Sequence, residues 1–569
     1  MMATTPRLAA AIACLIARSD AFSPSPAGGA GTTSLRDLRS PAFVMIDDAN
    51  VAAEDEGDSS SPFADFDYYA HWYPVNWAHN LVLNRPQKVT VFDVDYVVAR
   101  ISDTEVIAMV DECPHKAAAL SEGRVTPSGN FQCAYHGWSF DGTTGECVEI
   151  PQVVRPDGTM PPKVPSRSRG KAVPAMIHQE MVWLFPGGGL ERALLADPPP
   201  SVEEYDAKNW EISKTVRDMP VDWPIVISNI CDADHGLFAH QAKAFDLYTA
   251  SEEYPVEVRE DFPNERRGWA LHTMVEATEK LLKVNAGLRP TKKAKDSNKG
   301  PQNITATSVL YAPGLRHAKR VDANGETSYV GYYYVCPVGV GRSRFFGGGY
   351  TKKAPPQWLT NLFLHNFLDQ DTYLLATQQK NILPREAAEV RELMASTKGT
   401  ADELTGMAMT TRRKMFCYAS PSEKAGMRIE QFWDATLLRS PNRIKRLLQL
   451  DAAGAFSETP PRSVVLDRER QFLDLSPEAR DVVKNCESVI RKTKLASALV
   501  VLAKVLTMSW RRAKAYDSVL KPIAVTAVLG ISSLASFLAG KLKREHYFKY
   551  TKDYQVKDMN KIPTVWMDK

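Results

Sequence analysis

The chain has 569 residues, of which 44% are hydrophobic, 24% charged and 9% aromatic. These fractions are typical of globular proteins and exclude general disorder, a collagen-like repeat and an all-membrane bundle. The formal net charge is only +3, so no whole-chain basic field indicates nucleic acid as a partner. Eight cysteines are too few for a disulfide scaffold in a chain of this length, so we expect any cysteine function to be local.

Residues 1–61 have the composition of a leader and a linker. The apolar run Leu8–Ala17 is too short to cross a bilayer, and Ala21 ends a stretch that suits a signal peptidase. Residues 22–50, rich in Ser, Gly, Ala and Pro, follow it and resemble a transit segment, and an acidic linker comes next. We interpret this region as a two-part plastid leader. The simpler alternative is a secretory signal followed by a disordered linker.

Three short alternating runs, at 88–92, 96–100 and 106–110, predict antiparallel strands joined by tight turns. A proline-rich stretch at 151–165 ends this β module or forms a long loop within it. Farther along the chain, the basic stretch Lys280–Lys299 is expected to be a solvated surface loop.

Two pairs of metal-ligating side chains follow these strands. Cys113 and His115 are separated by seventeen residues from Cys133 and His136. A structural zinc would take all four side chains on one ion, whereas a Rieske [2Fe–2S] cluster takes two thiolates on one iron and two imidazoles on the other. Each pair here mixes one Cys with one His, which does not match the usual zinc-finger order and favours the Rieske cluster.

A second group of ligand types comes about a hundred residues later, where His235 and His240 are five residues apart. They face a common ion only if the helix is distorted, and Gly236 between them makes a distortion easier. Two histidines and one carboxylate form the facial triad of mononuclear non-haem Fe(II), which leaves positions open for O2. The alternative is a pair of ordinary core or surface histidines.

The combination Cys-x-His-x17-Cys-x2-His and Asp-x2-His-x4-His resembles the Rieske non-haem iron oxygenases. Within that family, Trp72–Val75, Ile150–Gln152 and an apolar C-terminal segment are similar to the plant and algal branch. This branch contains pheophorbide a oxygenase, chlorophyllide a oxygenase and the Rieske-type component of the inner-envelope translocon. The similarity extends from about Phe66 through the C-terminal apolar segment.

The resemblance also assigns roles to three aspartates. It implies that the third iron ligand lies on a late helix, where Asp371 is the better candidate and Asp369 the second choice. The alternative is that these are ordinary helical carboxylates. Asp232 is not expected to bind iron. The resemblance implies that it connects a Rieske histidine of one subunit to an iron-binding histidine of the next, in a homotrimer.

The C-terminal region is predicted to anchor the chain in a membrane. Pro522–Gly540 contains no charged residue and is close to the ~20 residues that cross a bilayer core. The earlier run Leu495–Trp510 is apolar apart from Lys504, so we expect either a second span or an interfacial helix. The alternative for both is a pair of buried helices of a soluble domain. Basic residues flank both runs, so the charge distribution does not fix an orientation.

The resemblance implies an α+β fold, with an antiparallel β Rieske domain, a helix-grip (START-like) catalytic domain and C-terminal membrane helices. We expect the leader and linker at 1–61, the Rieske domain at 62–175, the catalytic domain at 176–465 and the anchoring region at 466–569. The cofactors implied are a [2Fe–2S] Rieske cluster and a mononuclear non-haem Fe(II).

The function implied by the resemblance is a mono- or dioxygenase that uses O2 and electrons from a ferredoxin-type donor. Because the catalytic domain is tethered, we expect a lipophilic plastid substrate, with a chlorophyll-derived tetrapyrrole first, and a location in the inner envelope or thylakoid. The alternative is a non-catalytic redox component of the plastid protein-import machinery. The candidate mononuclear site at His235 and His240 favours the enzyme.

Overall fold

The computed structural model describes residues 61–155, 158–159, 164–206, 209–232, 235, 239, 256–263, 267–279, 302–321, 325–352, 354–511 and 520–546. The predicted leader, the basic stretch at 280–299 and His240 lie outside these ranges. Two compact units share the described residues, and the boundary between them falls after Asp481.

Three small antiparallel sheets form the first β module of the larger unit. Their orders are β1-β10-β9, β2-β3-β4 and β5-β6-β7-β8, with bounds β1 Tyr73–Trp77, β2 Gln87–Val91, β3 Val94–Arg100, β4 Val106–Val110, β5 Arg124–Val125, β6 Phe131–Gln132, β7 Ser139–Phe140, β8 Cys147–Glu149, β9 Ala175–His178 and β10 Met181–Leu184. The three strands predicted from the alternating runs are confirmed as β2, β3 and β4. Residues 175–184 return to pair with β1 at the start of the module.

The buried side chains of β3 and β4 form a core of their own around the loops that carry the cysteines. Val97, Ala99 and Met109 pack with Cys113 and Cys133 in one apolar cluster, and all five are nearly inaccessible to solvent. Alternation along β3 places every second side chain in this core. The two cysteines therefore pack against side chains of β3 and β4.

A seven-stranded antiparallel sheet follows, in the order β11-β17-β16-β15-β14-β13-β12. Its bounds are β11 Glu211–Met219, β12 Glu257–Asp261, β13 Ala270–Glu279, β14 Gln302–Tyr311, β15 Leu315–Val321, β16 Thr327–Gly339 and β17 Arg342–Thr351. The first strand, β11, lies at one edge of this sheet and pairs with the last strand, β17, which is far away in the sequence.

Helices accompany this sheet, with bounds α1 Leu190–Leu195, α2 Trp223–Cys231, α3 Gln357–Thr397, α4 Thr411–Met415, α5 Lys424–Thr436, α6 Arg443–Ala452 and α7 Arg462–Val465, followed by a π-helix at Glu469–Leu473. The 41-residue α3 is the longest of them and packs against β11, where His365 Nε2 lies 3.1 Å from Thr215 Oγ1. The predicted α+β class, an antiparallel β module followed by a sheet packed on a long helix, is confirmed.

The smaller unit contains most of α8, Pro477–Arg511, and α9, Leu520–His546. Among the described helices, one segment, Val525–Arg544 of α9, is long and apolar enough to cross a membrane, and 11% of its apolar window is buried. It overlaps the predicted span Pro522–Gly540. The other predicted run, Leu495–Trp510, forms the end of α8. As described, α8 has no segment that is both long and apolar enough to cross a membrane.

Candidate metal centres

The two loops that carry the Cys and His pairs have the same hydrogen-bonded shape. In the first, the N–H of Cys113 donates to the carbonyl of Ala118 (2.9 Å) and the N–H of Ala117 donates back to Cys113 (2.8 Å). In the second, Cys133 donates to Trp138 (2.9 Å) and Gly137 donates back to Cys133 (3.1 Å). The chain reverses at a residue of positive φ in both, with φ 57° at Ala117 and φ 75° at Gly137.

The two thiols meet beneath these loops. The Cys113 and Cys133 side chains are hydrogen-bonded to each other and are 2% and 1% exposed. Burial raises the pKa of the Cys113 thiol to about 11, although backbone N–H groups of His115 and Lys116 donate to the sulfur and act in the opposite direction. A bound metal would offset this cost, because its ligand is the thiolate.

The two imidazoles lie together on the outer side. The ring centroids of His115 and His136 are 4.5 Å apart, and the Trp138 indole stacks on His115 at 4.4 Å with an interplanar angle of 4°. Burial lowers the pKa of His136, and the nearby His115 and Lys116 lower it further by a smaller amount. The lowered pKa favours the neutral ring that a metal requires. His115 Nδ1 is buried without a hydrogen-bond partner in the described structure.

The segment noted in the sequence at Ile150–Gln152 closes the second loop. Gln152 Nε2 donates to the carbonyl of His136 (2.9 Å). A Cβ on Gly137 would lie 3.0 Å from Pro151 Cγ, so the proline ring packs directly over this position. The backbone that carries His136 is therefore held from two sides.

Paired thiols, paired imidazoles and the buried, unpartnered Nδ1 of His115 fit a [2Fe–2S] cluster with cysteines on one iron and histidines on the other. Cys113, His115, Cys133 and His136 would hold it. The hydrogen bonds of the two loops and the sheet that packs against the cysteines hold the backbone that carries these four side chains.

A second site begins at the C-terminal end of α2, where Asp232 positions His235. The backbone carbonyl of Asp232 lies 2.6 Å from His235 Nδ1, and its carboxylate accepts the backbone N–H of His235 at 3.3 Å. A carbonyl oxygen can only accept, so Nδ1 is the donor in this contact, and Nε2 is the ring nitrogen left to face a metal. This is the usual arrangement of a metal-binding histidine.

His235 Nε2 points at Asp371 on α3, with 3.7 Å between Nε2 and Oδ1. The Asp371 side chain is nearly buried, and that of His235 is 23% exposed. Two ligand atoms at this separation, one of them on a nearly buried side chain, are close to the spacing of neighbours around one ion. The structure therefore brings together two of the three predicted ligands.

Asp369, the second choice for this ligand, has different partners. Its Oδ2 accepts from Arg468 Nη2 (2.6 Å) and Nε (3.1 Å), and Arg217 Nη1 lies 2.5 Å from Oδ1. Residues two apart on a helix face different sides, so Asp369 and Asp371 cannot both face His235. The geometry separates the two candidates and favours Asp371.

His240 lies outside the described residues, so the third member of the triad remains a prediction. Within the described ranges, no group of three or more His, Cys, Asp or Glu side chains is placed to hold one metal ion. The Asp232 side chain is 48% exposed, and its inter-subunit role also remains a prediction.

Buried ion pairs hold the two helices of this second site in place. Asp222, which precedes α2, pairs with Arg443 (2.8 Å), and the same guanidinium nitrogen pairs with Glu386 of α3 (2.7 Å). Arg412 links Glu386 (2.9 Å) to Glu430 of α5 (3.2 Å), and all five side chains are nearly inaccessible to solvent. This network fixes α2, with His235 beyond its end, relative to α3, with Asp371.

Replacing Glu386 by glutamine is expected to lower the free energy of unfolding by about 1–3 kcal/mol, because two buried guanidinium groups lose their shared carboxylate while Asp222 and Glu430 still pair with them. Arg412 and Arg443 keep the pKa of Glu386 below its usual range, although burial acts to raise it. The measurement is the urea midpoint of the purified protein. Glu392→Gln, an exposed position on the same helix, is the control and should change stability by less than about 0.5 kcal/mol.

A drop no larger than that of the control would show that the network contributes little to stability. The sequence contains no signal for this network, because its members are far apart along the chain and each stands among ordinary charged residues.

Two family models match the chain at the places where these sites lie. The Rieske [2Fe-2S] domain model matches residues 71–166, which include both cluster loops. The pheophorbide a oxygenase model matches residues 310–389, which include β15 to β17 and the part of α3 that carries Asp371. The chain carries a Rieske domain and a pheophorbide a oxygenase domain.

Curated relatives of this chain include pheophorbide a oxygenase of Oryza sativa subsp. japonica, 32% identical over 37% of this chain and 39% of that protein. Protein TIC 55 of Pisum sativum is 26% identical over 61% of this chain and 58% of that protein. Protochlorophyllide-dependent translocon component 52 of Arabidopsis thaliana is 27% identical over 56% and 61%. The match thus spans between about two fifths and three fifths of these relatives.

Among solved structures, dicamba monooxygenase bound to dicamba aligns with a TM-score of 0.45 and 18% identity, over 68% of this chain and 98% of that chain.

Proposed function

We propose that this protein is a Rieske-type oxygenase, a mono- or dioxygenase, that uses O2 and electrons from a ferredoxin-type donor. The observation that carries the proposal is the convergence of His235 Nε2 and Asp371 Oδ1, 3.7 Å apart, in a chain that also carries a Rieske domain. A protein that only carried electrons would have no need for a second, nearly buried pair of metal-ligand types.

In this proposal Cys113, His115, Cys133 and His136 hold the [2Fe–2S] cluster. His235, His240 and Asp371 hold the mononuclear iron. When bound, the cluster supplies electrons and the mononuclear iron supplies the chemistry of O2. Asp232 has two roles in this proposal. Its backbone carbonyl fixes the tautomer of His235, and its exposed carboxylate connects to the Rieske histidine of a neighbouring subunit in a homotrimer.

The proposed organisation is a leader and linker at 1–61, a Rieske domain at 62–175, a catalytic domain at 176–465 and an anchoring region at 466–569. The apolar helix Val525–Arg544 supports the anchor. The relatives' names, which include "chloroplastic", support a plastid location. We place the protein at the inner envelope or thylakoid.

The proposed substrate is a chlorophyll-derived tetrapyrrole. The match of residues 310–389 to the pheophorbide a oxygenase model supports it, because this region supplies both the central strands of the large sheet and Asp371. A membrane anchor agrees with such a substrate, since a large apolar pigment partitions into the bilayer.

The experiment is incubation of the reconstituted, reduced protein with a panel of plastid pigments under ¹⁸O2, followed by mass spectrometry. We expect a tetrapyrrole product that contains at least one ¹⁸O atom, in an amount that depends on the electron donor. A Cys133→Ser variant, which cannot complete the cluster, is the matched control. Unchanged pigments in every sample containing both metal centres would contradict the proposed substrate class.

A second candidate function is a non-catalytic Rieske redox component of the plastid protein-import machinery. The observation that favours it is the length of the match to Protein TIC 55, 61% of this chain, against 37% for pheophorbide a oxygenase. Iron content separates the two functions, because a carrier needs only the two iron atoms of the cluster.

A further inference from the structure

Arg316, on β15, is a half-buried cation beside the second site. Its Nη1 donates to the carbonyl of Ile230, near the end of α2, and its Nη2 donates to Ser308 Oγ at 3.2 Å. The guanidinium carbon lies 5.8 Å from the centre of the Tyr333 ring. Ile230 is two residues before Asp232, so this guanidinium lies against the segment that leads to His235.

In the part of the chain that the structure describes, no carboxylate pairs with the charge of Arg316. Among the described residues, four arginines are almost fully buried, and each has at least one carboxylate partner: Arg217, Arg412, Arg443 and Arg468. Arg439 has none but donates to four backbone carbonyl oxygens. Within the described residues, Arg316 has one carbonyl, one hydroxyl and one ring as neighbours, and no carboxylate within 4.0 Å.

A purely structural role for Arg316 is to cap the C-terminal carbonyls of α2. Capping these carbonyls uses few of the five N–H donors of a guanidinium. The remaining donors are available for a carboxylate, which a guanidinium can bind through two parallel hydrogen bonds. The C-terminal end of α2 carries about half of a negative elementary charge, so it offsets only part of the positive charge of Arg316. A half-buried arginine in this state is suited to bind an anion.

The surroundings of Arg316 supply further polar groups and aromatic surface. Strand register places its neighbours on the same face of the sheet, because Arg316 pairs with Tyr333 on one side and Ser308 pairs with Thr273 on the other. Thr273 Oγ1 and Ser308 Oγ are 2.7 Å apart, and the hydroxyls of Tyr329 and Tyr333 are 3.2 Å apart. Hydroxyls and tyrosine rings around one cation suit a flat, apolar molecule with an acidic group.

We propose that Arg316 binds a carboxylate of the substrate on this face of the sheet, beside His235. The inference rests on the proposed function and deepens it, because it requires a pigment with a free acid group and disfavours the corresponding ester. Pheophorbide a, the compound in the name of one of the relatives, has one free carboxyl group and can be tested beside its methyl ester.

The experiment measures equilibrium binding of pheophorbide a and of its methyl ester to the full-length holoprotein, by quenching of pigment fluorescence in a fixed amount of detergent. We expect the acid to bind at least about tenfold more tightly than the ester, as hydrogen bonds to a charged group allow. In Arg316→Met the two affinities should become equal, mainly by weaker binding of the acid, and Arg316→Lys should keep part of the preference.

Lys319→Met is the matched control. Lys319 lies three residues away on the same strand, on the opposite face, where it pairs with Glu204 at 3.0 Å. This variant removes the same charge and should keep the full preference for the acid.

Equal binding of acid and ester by the wild-type protein would overturn the inference, and this result does not depend on the folding of any variant. A preference that persists in Arg316→Met, or that Lys319→Met also removes, would overturn it as well. If the protein oxygenates the pigment without such a preference, the proposed function stands and this inference alone fails. Binding of neither pigment would overturn the inference together with the proposed substrate.

Discussion

Replacing His235 by alanine is expected to reduce oxygenation by about 10³-fold or more, because the metal at this site supplies several kcal/mol of the catalytic effect. The EPR signal of the reduced Rieske cluster should not change, since the cluster ligands lie in separate loops with their own hydrogen bonds. Product formation and EPR are measured on the same sample. Iron content should fall by one atom per chain.

His272→Ala is the control for that variant. His272, on β13, pairs with Asp261 of the edge strand at 2.8 Å, so its loss removes an imidazole without removing a candidate ligand. We expect nearly full activity. Activity retained in His235→Ala, or a cluster signal lost together with it, would contradict the assignment of His235 to a separate iron site.

Replacing the two aspartates of α3 one at a time is expected to give opposite phenotypes. Asp371→Asn should lose the mononuclear iron and most of the activity with a small change in the urea midpoint. Asp369→Asn should lower the free energy of unfolding by about 3–5 kcal/mol, because it leaves Arg217 and Arg468 buried without their carboxylate. Iron analysis and urea denaturation of both variants provide the comparison.

The two substitutions are matched controls for each other, since each removes one carboxylate charge from the same helix and keeps the side-chain shape. Loss of iron in Asp369→Asn with iron retained in Asp371→Asn would reverse the assignment.

The four proposed cluster ligands could be predicted from the sequence because their geometry is local. Each Cys and His pair lies in one loop, and each loop is closed by hydrogen bonds between residues four and five positions apart. The short strands around the loops could also be predicted, since a simple alternation specifies them. Spacing alone therefore contained most of the information about this site.

The candidate iron site could be predicted only in part from the sequence, because it joins distant parts of the chain. The motif around His235 indicates one side of it, and the resemblance ranks Asp371 before Asp369 without a contact that separates them. The choice depends on which face of α3 meets α2, and on Arg217 and Arg468, which take Asp369. The residues next to Asp369 and Asp371 in the sequence do not indicate which of the two pairs with Arg217 and Arg468.

The buried ion-pair network and the role of Arg316 were missed for the same reason. Asp222 and Arg443, whose side chains are 2.8 Å apart, are separated by 221 positions in the sequence. A charged residue in a helix looks the same in the sequence whether it faces solvent or a buried partner. Arg316 lies on the face of the sheet that is next to α2 because of the register between β15 and β16. That register is likewise known only from the assembled sheet.

The central claim is that one chain holds a Rieske cluster and a separate mononuclear iron. Iron and acid-labile sulfide analysis of the reconstituted full-length protein tests it most directly, together with EPR of the reduced cluster. The expected result is three iron atoms and two sulfides per chain, falling to two iron atoms and two sulfides in His235→Ala. Two iron atoms and two sulfides in the wild-type protein, unchanged in the variant, would contradict the claim and leave an electron carrier.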